Sequence, residues 1–197
     1  VGGEGTDTVS FADETTTVSA NLSTGRAEGV GSGSDTLSGI ESVIGGSGDD
    51  VLTGDTSDNM LAGGSGDDAI DGGLGDDDLS GGDGADVIRG AEGDDAIDGG
   101  LGNDRLSGGD GVDTLAGAAG DDTIDGGAGG DALDGGEGVD TVSFAGSTSG
   151  VTVDLTSGTA TGADSGSDTL SGFENVTGGS GRDTLTGDEG DNLLSGG

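Results

Sequence analysis

The chain repeats a nine-residue unit, and the register of that unit restricts its fold more than any other feature. From Gly45 to Ser143 eleven units run without a gap, and three more occupy residues 2–10, 178–186 and 187–195, so 14 units account for 126 of 197 residues. Gly stands first in every unit and fourth in all but one, where Ser57 replaces it. The sixth residue is Asp except at Asn59 and Asn192, and the eighth is always Val, Leu or Ile, from Val9 and Leu52 to Leu185 and Leu194. With 51 Gly, 27% hydrophobic residues and a net charge of -37, composition alone describes a chain that stays unfolded. An aliphatic held in register 14 times contradicts that reading, and so does the absence of Pro, which sheet interiors exclude and flexible segments use freely.

Gly at positions one, two and four supplies turn conformations and close backbone approach. Positions seven to nine place one aliphatic between small or polar residues and predict a three-residue strand with one inward side chain. Two units, 18 residues, return the chain to the same side about 4.8 Å further along. The expected fold is all-β: a right-handed parallel β-roll, a β-solenoid of two thin sheets with turns along both edges, interrupted by wider irregular β coils.

The same period stacks the position-six residues into two ladders. Asp50, Asp68, Asp86, Asp104, Asp122 and Asp140 fall on one edge, and Asn59, Asp77, Asp95, Asp113 and Asp131 on the other, while Asp7 and Asp183 hold the position in outlying units. Neighbouring carboxylates about 5 Å apart repel by roughly 3 kcal/mol at an effective dielectric near 20, so a bare ladder opposes its own formation. Four Arg cannot neutralise it. The available ligands are all oxygen, from carboxylates and Gly-turn carbonyls. Calcium accepts 6–8 of these in loose geometry, whereas magnesium demands a tight octahedron. The position-six Asp side chains are therefore the candidate ligands, together with the carbonyls of Gly45, Gly63, Gly72, Gly81, Gly99, Gly108, Gly126 and Gly135. Asn59 and Asn192 are weaker candidates, because their units carry Asp at position two and an uncharged amide at six. Five gaps on one edge and four on the other predict up to about nine Ca2+ ions within 45–143. Since the core holds one aliphatic per nine residues, the chain is expected to be disordered without calcium and to fold on binding it.

Composition also excludes functions. Without Cys, His, Lys, Trp or Tyr, most catalytic constellations lack a member, and no enzyme is expected. Recurring acidic pairs such as Asp49-Asp50 read as ligands and solvated charge rather than a glycosidase pair. The position-nine acids Asp71, Asp98, Asp125 and Asp134 are expected to face solvent. A surface this negative repels nucleic acid and anionic lipid, and no apolar run approaches the ~20 residues of a membrane span.

A longer period overlies the short one. Gly2 to Phe11 recurs at Gly135 to Phe144 with one change, Thr6 to Val139, an offset of 133, and Asp35-Thr36-Leu37-Ser38-Gly39 recurs as Asp168-Thr169-Leu170-Ser171-Gly172. The organisation is the end of one roll block (1–10), a divergent β segment (11–44), an eleven-unit roll (45–143), the second divergent segment (144–177) and the start of another block (178–197). The chain thus reads as a window on a longer tandem array. Val18-Ser19-Ala20-Asn21-Leu22 and Val151-Thr152-Val153-Asp154-Leu155 alternate as half-buried strands. Phe11, Phe144 and Phe173, with Leu37 and Leu170, are expected to fill a wider core. Whether each 34-residue segment counts as three half-coils or four decides the phase of the next block.

On these residues the chain resembles the RTX (repeats-in-toxin) calcium-binding nonapeptide family, G-G-x-G-x-D-x-U-x. The resemblance implies that position-six Asp and Gly-turn carbonyls bind calcium between coils of a β-roll, and that the parent protein is exported by type I secretion from a Gram-negative bacterium. The expected role is a calcium-dependent structural region of a secreted or cell-surface protein: an adhesin stalk, extracellular filament, matrix or surface-layer element. Copies of itself are expected as partners. The alternative is a secretion and folding module of a toxin or hydrolase whose catalytic domain lies elsewhere.

Overall fold

The computed structural model describes residues 1–29 and 33–197; the first divergent segment is therefore described except for 30–32. The described residues form strands and turns without a helix, arranged as two eleven-stranded sheets. Successive strands of the repeat block alternate between the sheets, and each as far as Thr123–Ala128 pairs in parallel with the strand 18 residues on, as in Leu61↔Leu79, Ile88↔Leu106 and Leu115↔Leu133. The chain is a parallel β-solenoid, as the 18-residue period requires.

The strands are longer than expected. From Met60–Ser65 to Thr123–Ala128 each has six residues, running from position seven of one unit to position three of the next. Only at the ends of the block, in Val51–Thr53, Ala132–Asp134 and Thr141–Ser143, are there three, as in Ser42–Ile44 just before it. Positions two and three pair across coils as well, for example Gly64↔Gly82 and Ser65↔Asp83, and the turn shrinks to positions four to six. Position eight points inward throughout the block: Leu52, Leu61, Leu79, Ile88, Leu115, Ile124 and Val142 are almost fully buried. Each such side chain contributes about 1.5–3 kcal/mol. Position seven faces out, leaving Val51, Met60 and Val87 exposed.

The divergent segments are wider coils of the same solenoid. In the first, Val18–Asn21, Arg26–Gly29 and Gly33–Thr36 pair antiparallel; in the second, Val151–Asp154, Thr159–Gly162 and Gly166–Ser171 do the same. Phe11, Phe144, Phe173, Leu37 and Leu170 are buried, as the sequence suggested, alongside Val18, Ala20, Val151, Val153 and Ala160. Around the second coil one sheet gains three strands while the other gains only Asn175–Thr177, and the aromatic rings occupy part of the enlarged interior.

The phase of the long repeat corrects both alternatives of the sequence reading. Val9 pairs with Val43, and Val142 with Val176, so each 34-residue segment completes one circuit and counts as two half-coils. With eleven nonapeptides the super-repeat contains thirteen half-coils, an odd number. Equivalent residues one super-repeat apart therefore change sheets. The first antiparallel flap joins the sheet that holds Val51–Thr53, and the second joins the opposite sheet, beside Ala132–Asp134.

Candidate metal ladder

The position-six carboxylates lie inside the roll. Asp50, Asp68, Asp77, Asp86, Asp95, Asp104, Asp113, Asp122, Asp131 and Asp140 are at most 2% exposed, although nothing apolar in their chemistry favours that. Local structure explains it: the residue precedes an inward aliphatic by two, so strand alternation turns both to the same side. Space for the carboxylate comes from Gly at position one. A Cβ on Gly99 would sit 2.5 Å from Asp104 Oδ2 and 2.9 Å from the Gly117 carbonyl oxygen of the next coil.

One oxygen of each carboxylate is used. Asp68 Oδ1 accepts the Asp50 N–H at 2.7 Å, Asp86 Oδ1 that of Asp68, and so on through Asp104, Asp122 and Asp140. On the other edge Asp77, Asp95, Asp113 and Asp131 accept the N–H of Asn59, Asp77, Asp95 and Asp113. The two ladders are those that the 18-residue spacing assigns.

The second oxygen has no partner. Oδ2 of Asp68, Asp77, Asp86, Asp95, Asp104, Asp113, Asp122, Asp131 and Asp140 is buried and makes no hydrogen bond, and so is Oδ2 of Asp183, outside the block. Burial pushes the nine carboxyls of the block up, to about 7 for Asp68 and Asp77 and about 6 for Asp104 and Asp113. Burial also raises Asp86, Asp95, Asp122, Asp131 and Asp140. Backbone hydrogen bonds to each of these carboxylates act in the opposite direction and do not cancel it.

Within the block, position two decides whether Oδ2 stays unpartnered. From Gly64 to Gly136 its φ lies between +72° and +125°, even at Ala91 and Ala118. In the first two units of the block it is not left-handed, and the N–H turns in: Gly46 donates to Asp50 Oδ2 and Asp55 to Asn59 Oδ1, both at 2.7 Å. Gly3 and Asp188 likewise donate to Asp7 Oδ2 and Asn192 Oδ1. Asp7, Asp50, Asn59 and Asn192 therefore differ from the other candidates in having this oxygen occupied.

The carbonyl candidates sit beside the orphaned oxygens. Cross-coil pairing covers positions seven to nine and two to three but passes over position one, as in the pairing of Val87–Glu92 with Arg105–Asp110. A Cβ at Gly63, Gly72, Gly81, Gly99 or Gly108 would collide with the Oδ2 of its own unit and approach the position-one carbonyl of the next coil. Gly126 meets only the Asp131 side chain within that range, and Gly135 meets the Gly172 carbonyl instead. Gly45 meets the Gly63 carbonyl and Asp50 Oδ2. Among the described residues no three acidic side chains converge on one point, so a cation here would draw its remaining ligands from the main chain. An unpartnered carboxylate oxygen next to carbonyl oxygens suits a hard divalent cation.

Three features escaped the sequence reading. Glu41 and Glu174 accept the N–H of Asp7 and Asp140 through Oε2, and Asp168 accepts that of Asp131 through Oδ1. These residues continue the ladders into the wide coils, and burial raises Asp168 to about 7. Their signal was the aliphatic two residues later, Val43, Val176 and Leu170. Position five builds a second, exposed ladder of opposite sense: Asp49 accepts from Asp67, Asp67 from Ala85, Asp76 from Asp94 and Asp94 from Val112. Position nine needs a correction. Asp98 and Asp134 are exposed, but Asp71 and Asp125 are only partly so, and burial raises Asp125, which lines a cavity of about 230 Å³ with Phe144 and Ser165. The loops of the second wide coil border that cavity.

This geometry defines a β-roll with a ladder of buried carboxylates inside each edge. The model of the RTX calcium-binding nonapeptide repeat matches residues 35–70, 44–79, 71–106, 107–142 and 168–197, more than half of the chain. The chain belongs to that family and is a calcium-binding β-roll repeat region. No curated protein matches it.

Proposed function

We propose that the chain is a calcium-dependent structural shaft of an exported bacterial protein, disordered in the absence of the ion and folding when it is supplied. The single observation behind this reading is the row of nine orphaned Oδ2 atoms within 45–143, as many as the gaps between rungs. Asp68, Asp77, Asp86, Asp95, Asp104, Asp113, Asp122, Asp131 and Asp140 hold the ions, with main-chain carbonyls completing the seats, those of position one from Asp68 to Asp122. The bound ion supplies positive charge between carboxylates that would otherwise repel and be stranded away from water. The residues themselves set the register: Oδ1 of each Asp holds the amide of the coil before it, and Gly at position one keeps the seat open.

Folding then follows calcium concentration, low inside a cell and high outside, which suits export of an unfolded chain. The odd half-coil count supports a shaft with lateral contacts, as adhesin stalks, filaments and matrix or surface-layer elements have, since successive wide coils face opposite ways. The test is far-UV circular dichroism in chelator and then in millimolar calcium. A coil spectrum that converts to a β spectrum is expected, and an identical spectrum in both would overturn the proposal. Electron microscopy of the loaded chain distinguishes separate rods, as in a folding module, from ordered assemblies.

A further inference from the structure

Glu174 stands where a ladder Asp would stand, two residues before the inward Val176, yet it is a methylene longer. The backbone around it explains the length. In the regular roll, position seven donates to the position-six carbonyl of the coil before, as Arg105 N–H does to Asp86 O at 2.9 Å. At the junction with the wide coil Glu174 N–H and Asn175 N–H both donate to Asp140 O, at 3.2 and 2.9 Å. The peptide of Glu174 is thus turned back toward the roll, and the longer side chain still brings Oε2 to the Asp140 N–H at 2.8 Å. The same construction appears one super-repeat earlier, where Glu41 and Ser42 both donate to Asp7 O at 3.1 Å and Glu41 Oε2 accepts the Asp7 N–H at 3.0 Å.

The second oxygen of Asp140 points to a ligand. Asp140 is 0% exposed and its Oδ2 is unpartnered. A Cβ on Gly135 would lie 2.8 Å from that oxygen and collide with the carbonyl of Gly172, two residues before Glu174. Gly172 therefore brings its carbonyl where the regular roll brings the position-one carbonyl of the next coil, and its φ of +70° is left-handed.

We propose that the calcium seat of Asp140 is closed by the Gly172 carbonyl and Glu174, so that it joins the roll to the wide coil instead of lying between two nonapeptides. The inference rests on the reading that the regular ladder binds calcium. In the earlier copy Gly3 N–H occupies Asp7 Oδ2, so the Glu41 junction repeats the peptide geometry with its second oxygen already bonded.

Calcium stoichiometry by titration calorimetry, with hydrogen exchange of the Asp140 amide, tests this on the whole 197-residue chain. Glu174→Gln and Glu174→Asp should each bind one ion fewer than the parent; the shorter Asp should also lose protection at Asp140, whereas Gln keeps an oxygen for that N–H, and Leu106 and Leu115 amides stay protected in both. Glu92→Gln, which removes an exposed charge, should bind the full number. An unchanged ion count in Glu174→Gln overturns the seat, and a full count with Asp140 still protected in Glu174→Asp overturns the role of the longer side chain. A parent chain that binds no calcium overturns the functional reading instead, so the two failures are distinguishable.

Discussion

The eleven-unit roll and the wide coils solve the same problem, covering a thin β-solenoid interior, with different materials. Between Gly45 and Ser143 each unit buries one aliphatic and nearly always one carboxylate, and nine of those carboxylates keep an unpartnered oxygen. The second wide coil buries Phe144, Val151, Val153, Ala160, Leu170, Phe173 and Val176, and its ladder acids Asp168 and Glu174 are two in 34 residues. On the function proposed above, the roll is held by an interior that needs a cation, the wide coil by hydrocarbon. Shared strand pairing makes one solenoid of both, so the difference is in what each loses when the ion is withdrawn.

Chelation should have the largest effect. Amide protection across 60–143 is expected to collapse to that of an unfolded chain, with slower exchange persisting longest in 151–176; equal loss everywhere would erase the contrast. Next is pH. Burial raises Asp68, Asp77, Asp104 and Asp113 to about 6–7, above the ordinary 3.8, and raises Asp86, Asp95, Asp122, Asp131 and Asp140 in the same direction. For a raised carboxyl, the stabilisation is fully present below the unfolded value and is lost as pH rises through the folded one. The metal-free chain should therefore gain β signal on acidification from pH 8 to pH 4, and the calcium midpoint should rise as pH falls below 7, because the ligands must be deprotonated. Circular dichroism titrations at several pH values check both.

Single substitutions separate the regions further. Phe144→Ala should destabilise the calcium-loaded chain by about 3–5 kcal/mol through an apolar cavity, with the ion count unchanged. Asp104→Ala should remove calcium and strand the Asp86 N–H in the interior, costing on the order of 1–3 kcal/mol for that group alone, while Asp104→Asn keeps the bond and loses only binding. The smallest effect is at Ala91, whose φ is +93°. Ala91→Gly should relieve strain and raise stability by up to about 1 kcal/mol in a loaded-state melt, because a Cβ opposes left-handed backbone.

Much of the roll was legible in the sequence because its constraint is periodic. The 18-residue register and the membership of each ladder, Asp50 to Asp140 and Asn59 to Asp131, follow from counting, since strand spacing leaves one way to stack identical units. The inward placement of the carboxylates was less accessible. It depends on position six sharing the face of position eight and on space beside Gly at position one, both of which need the coil as a three-dimensional object. Asp125 was read as solvated because nothing nearby in sequence shows that residues 144–147 and 164–165 border it.

The chain's own residues determined a two-sided parallel roll, its turns and its candidate cation ligands, because each repeats the same local physics at a fixed interval. Tertiary structure alone decided that 34 residues make one circuit rather than one and a half or two. Two strands doubling back on a third use up chain length without advancing around the coil, and no residue count reveals that. From it comes the thirteenth half-coil, and with it the alternation of the wide coils between opposite faces.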